Sequence, residues 1–186
     1  MIVYGRNPVR EALTGRRHVL RAWAAEPFDW LAGVEVRRAT AEELERLCGS
    51  PDHQGVCAEA EAYPYVDPAS LLQAEDALVV CLDEVQDPHN LGAVCRVAEG
   101  VGAAGLVIPE RRSAEVTPAV CRASAGAVEH LPVARARNLA DWLLEEREQA
   151  RAERDFGTAD RKRDELAALG FEVRDTAEGP RLVRRR

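Results

Sequence analysis

Three short apolar stretches alternate with two helical patterns between residues 77 and 133, and this alternation restricts the fold of the 186-residue chain more than any other feature. The stretches at 77–82, 105–108 and 129–133 predict strands, and the nearly continuous apolar character of the first is typical of burial on both faces. Helices are predicted from Asn90 and from Thr117. The inner face of the first predicted helix comprises Leu91, Val94, Cys95, Ala98 and Val101. The order βαβαβ predicts an α/β fold with a parallel sheet and right-handed crossovers.

A smaller α/β unit is predicted in front of this sheet, over residues 1–62. A strand at 1–4 leads through a turn at 5–7 into a helix whose first turn contains Pro8, a position that favours proline. Thr40 and Glu43 have the spacing of a capping box, which predicts the start of a second helix. A strand is predicted at 55–60. The following residues, 63–76, predict a linker with a short helix at 70–73.

The C-terminal segment, 143–186, predicts a helical hairpin. Asn138 is placed to cap a charged helix that runs toward Arg154, and Asp155 to cap a second helix that stops at Gly170. The predicted apolar stripe of the second helix comprises Phe156, Ala159, Leu166 and Leu169. A small β-hairpin is predicted from 171–175 and 181–183, joined across 178–179.

Charge and composition exclude some classes of protein. The chain carries 25 basic and 32 acidic residues, a net charge of −7, so overall charge gives no argument for a nucleic-acid partner. No apolar run reaches the ~18 residues of a membrane span, and charges interrupt the first residues early, which predicts a cytoplasmic protein without a membrane partner. Five cysteines without a CxxC pair predict small buried side chains and neither a metal site nor a disulfide framework.

A glycine pattern at 100–105 matches G-x-G-x-x-G, the fingerprint of dinucleotide-binding folds. That fingerprint requires a strand, then the glycines, then a helix. Here the glycines follow a predicted helix and precede a predicted strand, which favours a tight turn over a nucleotide site.

The segment 83–96 follows a predicted strand at the edge of the sheet where open α/β folds bind ligands. Asn90 lies at the predicted helix start, where free backbone N–H groups bind anions. Gly92 and Arg96 are four positions apart, so the arginine side chain leans over the bare backbone of the glycine. This spacing predicts a pocket for a phosphate or a sugar edge. A solvated arginine on a surface helix is an equally good interpretation.

The same segment resembles a known family. Residues 90–96, Asn-Leu-Gly-Ala-Val-Cys-Arg, match N-x-G-x-x-x-R, the first motif of the SpoU/TrmH RNA 2′-O-ribose methyltransferases. The turns at 4–9 and 53–56 are similar to the N-terminal substrate-binding domain of that family. Residues 107–109, 117–118, 123–127 and 130–133 are similar to the middle of its catalytic SPOUT domain. The chain resembles above all the branch that acts on large-subunit ribosomal RNA.

This resemblance implies an S-adenosylmethionine-dependent enzyme that acts on ribosomal RNA as a homodimer, with a trefoil knot holding the methyl donor. It implies catalytic roles for Arg96, which would contact the reacting ribose and its phosphate, and for Asn90, which would hold the loop that shapes the site. It implies RNA contacts by Arg6, Asn7, His53, Gln54, Gly55 and Gly92. From the residues alone, two alternatives stay open: Asn7 as the cap of the helix after it, and His53 as a solvated loop residue.

The resemblance stops near residue 142, so the catalytic domain predicted over 77–142 is incomplete. The two further motifs of the family, an N-E-G-x-G-like loop and an S-L-N-V-S-like helix start that together form the knot, do not occur in the sequence. The sequence therefore predicts an incomplete SPOUT-like sheet, no donor-binding residues and impaired methyl transfer. It also leaves the implied homodimer without its knot.

The tail resembles a second family. Residues 147–151, 154–156, 159–160, 163–166 and 170–176 are similar to the C-terminal end of bacterial cysteinyl-tRNA synthetases, where this segment is an accessory helical tail. A generic charged helical hairpin is the other interpretation of the tail. For the whole chain, the alternatives to an RNA methyltransferase by lineage are a non-catalytic RNA-binding protein without a donor site and a tRNA-associated accessory module.

Overall fold

The computed structural model of the chain describes residues 1–74, 76–176 and 179–185. The N-terminal part forms a four-stranded sheet in the order β1-β4-β2-β3, antiparallel except for the β2–β3 pair. Its elements are β1 (Ile2–Tyr4), α1 (Arg6–Thr14), β2 (Val19–Ala24), β3 (Val36–Arg38), α2 (Ala41–Cys48) and β4 (Val56–Ala60). The predicted strands and helices of this part are present. The sequence analysis assigned nothing to β2 and β3. The strand β3 is short, exposed along its length and paired with β2 at the edge of the sheet, so it has no apolar pattern of its own.

A second sheet contains three parallel strands in the order β5-β6-β7, as the βαβαβ pattern predicts. Its elements are β5 (Val79–Cys81), α3 (Pro88–Gly100), β6 (Gly105–Pro109), α4 (Pro118–Ala123) and β7 (Val133–Ala136). The linker residue Val66 adds one parallel bridge to Ala134 on the outer side of β7. The α/β fold class is confirmed.

Three details of this sheet were predicted wrongly. The strand β5 is half-buried, not buried on both faces, because it lies at an edge of the sheet. The third strand begins at Val133, not at residue 129, because Ala127–Glu129 forms a 3-10 turn. Val101 follows the end of α3 and is 62% exposed, so it does not belong to the inner face of that helix.

The sequence predicts Asn90 as the N-cap of α3, but the helix begins three residues earlier. Asp87 is its N-cap: one carboxylate oxygen accepts a hydrogen bond from the His89 backbone N–H at 2.7 Å. Pro88 follows at the first helical position, where its missing N–H is not needed. Asn90 is therefore a residue of the first turn and not a cap, because the Asp-Pro pair begins the helix earlier.

The tail continues directly from the sheet. The helix α5 (Leu139–Ala152) is capped by Asn138, α6 (Phe156–Ala168) is capped by Asp155, and β8 (Phe171–Thr176) pairs antiparallel with β9 (Gly179–Arg184). Both predicted caps and the hairpin are confirmed; of the turn predicted at 178–179, residue 178 lies outside the described residues. Leu166 is fully buried, whereas Phe156 is exposed and does not belong to the predicted stripe. The proposed boundary at 142–143 falls inside the continuous α5.

One hydrophobic core joins the N-terminal sheet to the parallel sheet. It includes side chains from both, such as Val3, Val56, Leu91 and Leu106. A second core lies between the parallel sheet, α5, α6 and the β8–β9 hairpin. The tail thus packs on the sheet through α5.

A buried ion pair crosses the same junction between the two sheets. The Arg17 side chain donates from Nε and Nη2 to the two carboxylate oxygens of Glu129, at 2.8 and 2.6 Å. Both side chains are at most 1% exposed. Burial opposes the charge of Arg17, but hydrogen bonding and attraction to Glu129 outweigh it and raise the pKa of the guanidinium. The arginine also donates to the Glu61 carbonyl oxygen at 3.0 Å, so it connects three segments of the chain.

The capping box of α2 gives a first stability test. Thr40 Oγ1 accepts from Glu43 N at 3.3 Å, and the Glu43 carboxylate accepts from Thr40 N at 2.8 Å. We expect Thr40→Ala to lower the free energy of unfolding in urea by about 1 kcal/mol, because it leaves a helix N–H without its acceptor. Thr14→Ala is the matched control at the end of α1, where we expect less than about 0.5 kcal/mol. Equal effects of the two substitutions would contradict the role of the box.

The structure also bears on the sequence patterns for a membrane span, a metal site and a nucleotide site. Within 1–74, 76–176 and 179–185, no helix combines the length and hydropathy of a membrane span. No cluster of three or more His, Cys, Asp or Glu side chains suited to a metal occurs in these same ranges. The glycine pattern at 100–105 connects the end of α3 to the start of β6, so it is the helix-to-strand turn that was predicted.

The cysteines behave as small apolar side chains. All five are free thiols; Cys57, Cys95 and Cys121 are buried. Burial raises the pKa of Cys95 to about 12, and the same cause raises that of Cys81 to about 11. These thiols are therefore protonated at neutral pH and poor nucleophiles.

Candidate functional site

Two turns that are 48 residues apart in sequence meet at one end of the N-terminal sheet. The backbone N–H of Arg6 donates to the side-chain oxygen of Gln54 at 3.0 Å, and Arg6 Nε donates to the Gln54 carbonyl oxygen at 3.3 Å. Gln54 and Gly55 both have positive φ, 53° and 81°, which turns the chain sharply before β4. The structure thus brings together Arg6, Gln54 and Gly55, which the sequence analysis selected separately.

The Arg6 side chain lies on the surface beside this junction. Its Nη2 pairs with Glu26 at 2.9 Å, and its guanidinium lies 5.1 Å from the centre of the Phe28 ring. The ion pair is more than half exposed on both sides, so it is a weak one that an anionic ligand can exchange. The contact with the Phe28 ring keeps the Arg6 guanidinium close to the turn at Gln54.

His53 and Asn7 differ in their surroundings. His53 is only 8% exposed, so the interpretation as a solvated loop residue is wrong; its Nδ1 accepts from Gly55 N at 3.0 Å and shapes the turn. Asn7 is exposed, but it is the second residue of α1 and not its cap, because Gly5 takes the N-cap position with φ 92°. The side chain of Asn7 is therefore turned to solvent beside Arg6.

Arg122 joins this group from the other sheet unit, and the sequence analysis missed it. A side-chain carbon built on Gly5 would lie 3.4 Å from Cδ and Nε of Arg122 and 3.3 Å from Gln54 Oε1. Arg122 is half-buried near the end of α4, and its guanidinium forms no hydrogen bond or ion pair with the residues that the structure describes. The signal available in the sequence was its position beside residues 123–127, which carry the family resemblance.

The helix α3 carries the other predicted residues. Asn90 and Arg96 are both exposed, and Arg96 forms no ion pair with any side chain in the described ranges. Their separation of six positions places them about 120° apart around the helix axis. Gly92 is buried: a side-chain carbon there would lie 2.5 Å from Ala123 Cβ, so α4 occupies the space over its backbone. The close approach of α4, and not an open pocket, explains the glycine.

The carboxyl ends of β6 and β7 are bridged by the protein itself. Glu110 N donates to the Ala136 carbonyl oxygen at 2.8 Å, and Arg135 contacts the Glu110 carbonyl oxygen, the Glu115 carboxylate and the Tyr65 ring. Two buried atoms here, Thr117 Oγ1 and Arg135 Nε, have no hydrogen-bond partner in the described part of the chain. A cavity of 740 Å³ lies elsewhere, between the start of β5 and the α5–α6 pair, and does not reach them.

Comparisons with known proteins agree with this architecture. The model of the SpoU rRNA methylase family matches residues 77–175, and the model for RNA 2′-O-ribose methyltransferase substrate binding matches residues 2–66. The first match extends through α5 and α6 into β8, beyond residue 142, where the quoted motifs stop.

Individual relatives give the same result. The chain is 37% identical over 163 residues to YacO of Bacillus subtilis, assigned to the TrmH family of tRNA/rRNA methyltransferases, with 79% of this chain and 65% of YacO covered. It is 42% identical over 123 residues to the 23S rRNA (guanosine-2′-O-)-methyltransferase RlmB of Acinetobacter baylyi, with 64% and 48% covered.

Among solved structures, the SpoU methyltransferase AviRb of Streptomyces viridochromogenes in complex with AdoMet aligns with a TM-score of 0.63 and 25% identity, over 82% of this chain and 61% of that chain. The chain spans between about half and two thirds of the length of these relatives.

Proposed function

Because the chain belongs to the SpoU rRNA methylase family, we propose that it binds ribosomal RNA as the acceptor of 2′-O-ribose methyl transfer. The observation that carries this proposal is the meeting of two turns from distant parts of the sequence, with Arg6 and Arg122 beside them. Arginine is suited to bidentate contacts with phosphate, and these two approach one surface from both sheet units. Such a surface supports recognition of a folded RNA segment.

The proposed roles of the α3 residues follow from their exposure and charge. A ribose 2′-hydroxyl is a poor nucleophile and must be positioned and polarised to react. Arg96 has no ion-pair partner within the described ranges, so its guanidinium is available to contact the reacting ribose and its phosphate. Asn90, in the first turn of the same helix, would hold the loop before it.

The methyl donor of the family is S-adenosylmethionine, which supplies an electrophilic methyl group when bound. The residues present do not fit it by themselves. The carboxyl ends of β6 and β7 are bridged by Glu110 and Arg135, and Asn138 already caps the N-terminal N–H groups of the next helix, α5. The roles proposed for residues 83–96 concern only the RNA that accepts the methyl group. We therefore propose that this chain alone transfers methyl groups weakly or not at all.

The remaining assignments are parts of the same proposal. A partner that completes the donor side, such as a second copy in a homodimer, would restore methyl transfer. Because ribosomal RNA and the methyl donor are found in the cytoplasm, a cytoplasmic location is part of the proposal. We also propose an accessory role for α6 and the β8–β9 hairpin, as the resemblance of the tail to cysteinyl-tRNA synthetases implies. In this role Arg147 and Arg151 hold the hairpin to α5 through Asp175.

The experiment combines donor and acceptor binding. We expect fragments of large-subunit ribosomal RNA to bind the full chain with strong salt dependence, and calorimetric titration with S-adenosylmethionine to show no micromolar site. Arg96→Ala is expected to weaken RNA binding and to reduce the salt slope by about one, the contribution of one phosphate contact. Arg163→Ala on α6 removes the same charge at an exposed position and serves as the control.

Two results would overturn the proposal in different ways. Absence of RNA binding at low salt would refute the acceptor role. Micromolar donor binding, together with methyl transfer that Arg96→Ala abolishes, would refute the impairment and show that the tail or a second copy rebuilds the donor site.

A further inference from the structure

We propose that a groove between β2, β3 and α2 binds an unpaired nucleotide of the RNA, with its base stacked on Trp23 and its phosphates on arginines. The groove has a volume of 370 Å³ and is lined by Trp23, Arg37, Arg38, Ala39, Glu43, Arg46 and Leu47. This inference rests on the proposed function in taking RNA as the ligand. It concerns a surface separate from the Arg6–Gln54 turn and from α3.

The charge of the groove is opposite to that of the whole protein. Its lining contains three arginines and one glutamate, whereas the chain carries a net charge of −7. The glutamate, Glu43, is already occupied as acceptor of the Thr40 N–H in the capping box. A local concentration of positive charge on an acidic protein attracts an anion to this surface in particular.

The arginines keep donors available. Arg38 is exposed and forms no ion pair with any side chain in 1–74, 76–176 or 179–185. Arg46 donates from Nε to the Glu42 carbonyl oxygen at 3.3 Å. This bond orients the side chain and leaves its terminal N–H groups available to a ligand. Arg37 pairs with Glu35, but both are more than half exposed, so the pair is weak and exchangeable.

Trp23 supplies an aromatic ring within this charged frame, and the Arg21 guanidinium lies 6.0 Å from the centre of that ring. Trp23 lies on β2, on the face of the sheet covered by α2, and it is half-buried among Ala39, Leu44 and Cys57. Leu47 on α2 remains 38% exposed at the other side of the groove. An aromatic ring beside arginines is the arrangement that binds unpaired bases, because every base offers a face for stacking and every phosphate a negative charge.

The groove adjoins the end of the sheet where the two turns meet. Ala24 pairs with Val56, and Ala25 N donates to the Gly55 carbonyl oxygen at 2.9 Å, so Trp23 is two residues from the turn. An RNA segment held at Arg6 and Gln54 can therefore continue into the groove. An acidic peptide would satisfy the arginines but would not use the indole ring, so the tryptophan favours RNA.

The test measures binding of fluorescein-labelled decauridylate to the full chain by fluorescence anisotropy. We expect the double variant Arg38→Glu, Arg46→Glu to weaken binding at least tenfold and to lower the salt slope. Trp23→Leu is expected to weaken binding about tenfold, whereas Trp23→Phe, which keeps a stacking ring, restores most of it. The double variant Arg161→Glu, Arg163→Glu on α6 is the matched charge-reversal control and should leave the affinity nearly unchanged. Urea unfolding of each variant identifies any loss of the fold.

A crosslink provides a measurement independent of stability. With 4-thiouridine in the oligonucleotide, irradiation of the wild-type chain should yield a crosslinked peptide from β2. Crosslinks confined to the Arg6 and Gln54 peptides, with unchanged affinity of the folded arginine variant, would overturn the proposal. A polyglutamate peptide that displaces the RNA equally well from wild type and Trp23→Leu would also overturn the proposal. The groove would then bind any anion through its arginines, without a contribution from stacking on Trp23.

This assay contains no methyl donor, so its outcome is separable from that of the proposed function. Absence of ribosomal RNA binding by the wild-type chain at low salt would refute the proposed acceptor role. Decauridylate binding that the folded groove variants leave unchanged would refute the groove alone and leave that role in place.

Discussion

Replacing Glu129 by alanine is expected to lower the free energy of unfolding by about 3–5 kcal/mol, the effect of leaving a buried charge without its partner. Arg17 would keep its hydrogen bond to the Glu61 carbonyl oxygen, but both of its bonds to carboxylate oxygens would be lost. Folded domains are stable by only about 5–15 kcal/mol, so this single change removes a large part of the total. Urea denaturation followed by circular dichroism measures it.

Glu59→Ala is the control for that prediction. Glu59 pairs with Arg21 at 2.8 Å, but both side chains are about one third exposed, and such pairs contribute at most about 1 kcal/mol. The double variant Arg17→Met, Glu129→Leu should recover much of the lost stability, since neither charge then remains buried. Equal effects of Glu129→Ala and Glu59→Ala would contradict the importance of the buried pair.

Replacing Gly92 by alanine is expected to destabilise the protein by about 1–3 kcal/mol, although alanine is the better helix former. The new methyl group would lie 2.5 Å from Ala123 Cβ and 2.9 Å from Ser124 N, so α3 and α4 must separate. Because Arg96 lies one turn along the same helix, the shift should also weaken binding of ribosomal RNA. Urea unfolding and fluorescence anisotropy measure the two effects.

Gly100→Ala supplies the comparison within the same helix. A side-chain carbon at Gly100 meets nothing within 4 Å, so only helix propensity acts there, and we expect a gain of up to about 1 kcal/mol. If Gly92→Ala were as stable as Gly100→Ala, α4 would have to move away from α3 at no cost in stability, and the prediction would be wrong.

Much of the fold followed from short-range patterns. The βαβαβ order and the caps at Thr40, Asn138 and Asp155 were predicted because each depends on residues close together in sequence. Some element boundaries and strands were predicted wrongly. The start of α3 was misplaced because Asp87 and Pro88 form a stronger start than Asn90, and β3 was missed because an exposed edge strand has no apolar pattern of its own.

The sequence by itself determined the parallel α/β core and the tail elements, since local periodicity and capping residues carry that information. Motif spacing selected Asn90 and Arg96 as candidates, and the family resemblance selected Arg6 and Gln54. The tertiary structure alone decided which of these residues meet. It joined Arg6 to Gln54, added Arg122, buried His53 and placed α4 over Gly92. It also paired Arg17 with Glu129, 112 residues away. Contacts of this kind depend on packing between elements, and no pattern within one element specifies them.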